Sequence, residues 1–173
     1  MKNFKYLGKR QATLAIAGIF AVLLFSTLGS TQETASGIAS ESAIAIVVHK
    51  DTQVDNLSLQ ELRSIFLADQ QFWPDRTRII LLVRAPESDE RTFVLNSIYQ
   101  MDEAQFRQYW IAKMFRAEVP RGPKIVFSTD MTLELVLAIP GSISFMRANE
   151  VTDQVRVVRV GGKLPSEAGY PLK

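Results

Sequence analysis

The chain has 173 residues, with 20 Lys and Arg against 18 Asp and Glu, one His and no Cys. Without cysteine there is no disulfide, no thiol nucleophile, no zinc-thiolate site and no acceptor for a lipoprotein anchor. Four bases fall in the first ten residues, which hold no acid, so sixteen bases face eighteen acids from Gln11 onward and no basic patch points to nucleic acid.

Lys2, Lys5, Lys9 and Arg10 precede a stretch from Gln11 to Gln32 that carries no charge and has an apolar body from Ala12 to Leu28. A basic start, an apolar centre and small residues after it are the pattern of an export signal. The expected organisation is a signal over residues 1–29, cut after Gly29 or Ala39 or retained as an anchor. A spacer rich in Ser, Thr, Ala and Gly follows over 30–42, and then one domain over 43–173. The roughly 130 residues of that domain are enough for a genuine core. The expected location is the periplasm, with membrane attachment if the signal stays.

Ala43 to Val48 is a short β-branched run that fits a strand buried on both faces. Ser58-Leu59-Gln60-Glu61 is a capping box, and Leu62, Ile65 and Phe66 continue it at helical spacing. Trp73-Pro74-Asp75 marks a turn with an aromatic plug, leading to a second strand from Arg78 to Val83. A helix from Ser88 to about Gln100 should bury Phe93, Val94 and Ile98. Asp102 and Gln105 open another, whose Phe106, Tyr109, Trp110, Met114 and Phe115 stripe reads as core, or as a partner surface if exposed. Pro120-Arg121-Gly122-Pro123 stops it. Lys124 to Phe127 is a third strand, and Ser128 begins a helix that ends at Pro140-Gly141. Ser142 to Met146 and Val155 to Val160 complete the strands. This alternation implies an α/β domain with a mostly parallel or mixed sheet flanked by helices.

The stretch Val83-Arg84-Ala85-Pro86-Glu87-Ser88-Asp89-Glu90 carries the chemistry. A buried strand ending at a helix start places unpaired N–H groups and a positive dipole end at the sheet edge, where α/β proteins collect anions. Arg84 supplies a planar permanent cation and Ser88 a hydroxyl at the cap. The same residues also suit a surface arginine and an ordinary N-cap, with Asp89 and Glu90 balancing the dipole. Ser128 and Thr129 form a second strand-to-helix junction, open to either reading. His49 lacks a Cys or His partner and reads as packed or solvated. No G-x-S-x-G, P-loop, G-x-G-x-x-G or H-E-x-x-H occurs, so no catalytic residue, metal or cofactor is assigned.

Four segments in order resemble one family: Ala43 to Val48, Asn56 to Leu67, the Trp73-Pro74-Asp75 turn with Arg84 at the next strand end, and Ile139 to Met146. Together they resemble the second lobe of phosphate ABC transporter substrate-binding proteins, of type II periplasmic-binding-protein-like fold. The resemblance implies an exported, non-enzymatic receptor lobe that binds phosphate or another small oxyanion, with a membrane transporter or sensor as partner. It aligns Arg84 and Ser88 with the arginine and serine of the anion grip, and puts Asp89 and Glu90 where that grip has glycine and threonine. Their backbone N–H groups would complete the site. A carboxylate beside phosphate costs on the order of 1–4 kcal/mol at surface-like dielectric. The alternative is an envelope interaction or sensory module that kept the fold and lost the ligand.

Overall fold

The computed structural model describes residues 42–173; the expected signal, its cleavage points and most of the spacer lie outside them. The strands are β1 Ile44–Val48, β2 Asn56–Leu57, β3 Ile80–Arg84, β4 Lys124–Val126, β5 Ser142–Arg147 and β6 Arg156–Val160. The helices are α1 Leu59–Phe66, α2 Asp89–Val94, α3 Glu103–Phe115 and α4 Thr129–Ala138. All six strands join one sheet in the order β2-β6-β1-β5-β3-β4. It is mixed: β1 runs antiparallel to β5 and β6, while β5, β3 and β4 run parallel. The carboxyl ends of those three strands therefore share one edge of the sheet.

Both faces are covered, which explains why β1 is apolar throughout. Ile44, Ile46 and Val48 join one core cluster with residues of α1, α2 and α3, whereas Ala45 and Val47 join a second under α4. Alternate side chains leave a strand on opposite faces, so a strand between two helical layers needs apolar residues at every position.

The caps lie where the sequence puts them. Ser58 and Glu61 close the box at α1, and Asp102 and Gln105 close one at α3, each side chain holding the other residue's N–H. The expected helix from Ser88 to about Gln100 is α2 followed by a wider π-type turn, Leu95–Tyr99, which ends at Gln100 in the left-handed region. Phe93 in this helix is only partly buried, while Tyr99 is fully buried. The two-residue β2 is absent from the sequence reading, because a pair of residues has no period to detect. In the α3 stripe Phe106 and Trp110 are core, but Met114 is exposed and Phe115 is 92% exposed, so the stripe is not core throughout.

Trp73 is the expected plug. It is buried, and its indole N–H donates to the carbonyl of Gly141 at 2.9 Å, tying the turn before β3 to the turn before β5.

Candidate anion-binding site

Three strand ends build the candidate site: Arg84 closes β3, Arg147 closes β5, and Ser128 follows β4. β3 and β4 pair with Arg84 opposite Val126, and the Ala85 N–H donates to the Val126 carbonyl at 2.8 Å. The turn before α2 and the turn before α4 are thus neighbours at the edge. Phe127, in the turn before α4, is 72% exposed.

Arg84 is half-buried, and its Nη1 is enclosed without a hydrogen-bond partner among the described residues. A guanidinium nitrogen in that state is a donor awaiting an acceptor. Ser88 is the N-cap of α2: its Oγ accepts from the Arg91 N–H at 3.3 Å, while its own O–H has no acceptor among the described residues. The intervening Glu87 lies at φ 72°, a left-handed conformation unusual for a residue with a side chain.

Asp89 and Glu90 are not loose charges. Arg147 donates from Nε to Glu90 Oε1 at 2.8 Å and from Nη2 to Asp89 Oδ2 at 3.1 Å. Burial works to raise the Glu90 carboxyl, but the Arg147 hydrogen bond, with the charges of Arg147 and Arg84, holds it below the usual carboxylate range. The residue's own backbone N–H also favours the charged carboxylate.

Arg91 anchors this turn from beneath. It is almost fully buried, bonded in bidentate fashion to Glu103, and its Nη1 donates to the Arg84 carbonyl at 2.7 Å. Its guanidinium also lies over the Phe106 ring at 4.7 Å. Arg91 thus holds the backbone of Arg84 while its charge is consumed by Glu103.

Ser128 and Thr129 serve the start of α4. Ser128 Oγ accepts from the Met131 N–H at 3.1 Å, and Thr129 donates its hydroxyl to Glu150 at 2.8 Å. His49 is buried, and its Nδ1 accepts from the Asp51 N–H at 3.1 Å, a packed role. Among the described residues no group of three or more His, Cys, Asp or Glu could hold a metal ion, and no helix is long and apolar enough to cross a membrane.

The structure thus brings Arg84, Ser88, Asp89 and Glu90 together, with Ser128 and Thr129 on the adjoining strand end. Sequence reading passed over Arg147, Arg91 and Glu150. Arg147 could have been found by the rule that singled out Arg84, an arginine at the carboxyl end of an apolar strand, had that strand been carried one residue past Met146.

No family model and no curated protein matches the chain. Solved structures do. An ABC-type phosphate transport receptor from Vibrio cholerae superposes with a TM-score of 0.58 at 17% identity, covering 71% of this chain and 48% of the receptor. A putative phosphate ABC transporter substrate-binding protein from Clostridium perfringens, solved with bound phosphate, gives 0.56 at 19%, covering 69% of this chain and 45% of that one. PstS from Borrelia burgdorferi gives 0.56 at 18%, with 71% and 49% covered. The chain has a partial periplasmic-binding-protein-like fold. It spans about half the length of these binding proteins, and the resemblance in sequence extends to the backbone.

Proposed function

We propose that this periplasmic-binding-protein-like chain is an exported binding protein, not an enzyme, that seats phosphate or a similar small oxyanion weakly at the edge formed by β3, β4 and β5. The observation that carries this reading is the enclosed, unpartnered Nη1 of Arg84 beside the Ser88 cap. Arg84 would give the anion a charge-assisted hydrogen bond and Ser88 its O–H. Arg147 makes this feasible by engaging both neighbouring acids, so that two cations and two carboxylates meet at the seat instead of one cation and two carboxylates. Binding would be weak, because the net charge of the seat is near zero. A membrane transporter or sensor that covers the seat would strengthen it by excluding solvent.

A second reading is favoured by one specific feature. Asp89 and Glu90 sit on Arg147 as an internal substitute for an external anion, and Phe127 is exposed at the same edge. On that reading the edge is a surface for a protein partner in the envelope, and the ligand has been lost.

Calorimetric titration of phosphate separates the two. Saturable heat that disappears in Arg84→Ala supports the oxyanion receptor. Silence up to millimolar phosphate, with no shift in melting temperature, sinks it and leaves the interaction module.

A further inference from the structure

A cavity of about 250 Å³ opens at the other end of β3 and β4, away from the strand ends that carry Arg84 and Ser128. Ile65 of α1, Leu81 of β3, Trp110 of α3 and Val119 give it an apolar lining. Arg78, Arg121 and Lys124 also line it, and no acidic residue does. All three cations are exposed, and none has a side-chain hydrogen bond or an ion pair to another described residue, although the Arg78 guanidinium lies 5.9 Å from the centroid of the Phe72 ring. Arg91, Lys113, Arg116, Arg147, Arg156 and Arg159 are each paired with a carboxylate, whereas Lys50, Arg76, Arg84 and Arg107, like these three, are not. Three cations without a carboxylate partner thus ring one apolar hollow that has no acid in its lining.

Backbone chemistry holds the hollow open. Pro120 and Pro123 restrict the turn that forms one wall, and between them Gly122 leaves room: a Cβ there would come only to 4.0 Å from the Trp110 ring. The volume lies just under the ~300 Å³ at which ligand clefts begin, so the occupant must be small. An apolar floor beneath a cationic, acid-free mouth selects a molecule with one apolar body and one anionic group.

We propose that this cavity binds small amphipathic organic anions, with carboxylates on an aromatic ring or short aliphatic chain as the fitting class. The site is separate from the oxyanion seat and stands whether or not that seat binds phosphate. The apolar body would lie against Trp110, Ile65 and Leu81, and the carboxylate would meet Arg121, Lys124 and Arg78.

The test is titration of the chain with 4-phenylbutyrate, followed by NMR through the indole N–H signals of its two tryptophans. The expected result is a saturable shift of the Trp110 signal with a Kd of about 1 mM or tighter, while Trp73, bonded to Gly141, stays put. Reversing two mouth charges, Arg121→Glu with Lys124→Glu, should weaken binding by about tenfold or more. Gly122→Leu should abolish it by filling the hollow, and Arg84→Ala should leave it unchanged; unaltered melting temperatures certify the folds. No shift of Trp110 up to about 20 mM probe, or equal binding by the charge-reversed chain, overturns the proposal. Inorganic phosphate moving Trp110 as strongly as the probe also overturns it, because a bare cation patch would then suffice.

Discussion

Arg147 sets the charge of the candidate site, and it does so by holding Glu90. The sign of the linkage follows from the depressed Glu90 carboxyl. Its folded value lies below the ordinary 4.5, so the pairing stabilises the fold above that pH and is lost as pH falls through the folded value. Arg147 is 39% exposed on its side chain, which screens the pair. Glu90→Gln should therefore cost about 1 kcal/mol at pH 7 in urea unfolding. The gap from the parent should close on acidification below pH 4.5, and a gap that persisted at low pH would assign the loss to packing instead. If the edge seats an oxyanion, the same variant should bind phosphate more tightly, since one negative charge beside Arg84 is gone.

At the scale of elements, helix starts were legible and helix interiors less so. Ser58, Ser88, Asp102 and Ser128 each cap the helix expected of them, because an N-cap is a local bargain between one side chain and the N–H groups two or three residues on. The widening at Leu95–Tyr99 was not legible. It serves the placement of buried Ile98 and Tyr99, which depends on α1 and α3 packing nearby. The joint between elements with the least tolerance is Gly141. It has φ 78°, and a Cβ there would lie 2.8 Å from the Thr77 methyl and closer still to the Arg78 carbonyl oxygen. Its carbonyl also accepts from the Trp73 indole and the Ile80 N–H. Gly141→Ala should thus destabilise by about 3 kcal/mol in chemical unfolding, through strain and displacement of both turns. A loss under about 1 kcal/mol would mean the turns shift freely.

At the scale of the whole molecule, the last residues close the core. Tyr170 and Leu172 are buried, the Tyr170 hydroxyl donates to the Ile44 carbonyl at 2.8 Å, and the Leu172 carbonyl accepts from the Ile44 N–H at 2.9 Å. Burial pushes the Tyr170 phenol well up, so it remains a donor throughout the neutral range. Removing residues 170–173 exposes the amino end of β1 and takes two side chains out of the core. The expected loss is about 3 kcal/mol or more, read as a fall of several degrees in melting temperature. An unchanged melting temperature would show that the tail only rests on the fold.

What the sequence by itself determined is whatever lies within a few residues along the chain. This covers the apolar β1, the capping boxes, the Pro-Gly stop, the alternation that makes an α/β domain, and Arg84 and Ser88 at one strand-to-helix turn. Their warrants are periodicity and short-range hydrogen bonding, which a linear text preserves. The tertiary structure alone decided that β1 is antiparallel to both neighbours, that Trp73 reaches Gly141, and that Arg147 reaches Asp89 and Glu90 from 58 and 57 positions away. It also decided that Phe115 faces outward and that Arg78, Arg121 and Lys124 gather at one hollow. Charge pairing and burial depend on distance in space, and only the packed sheet sets that distance.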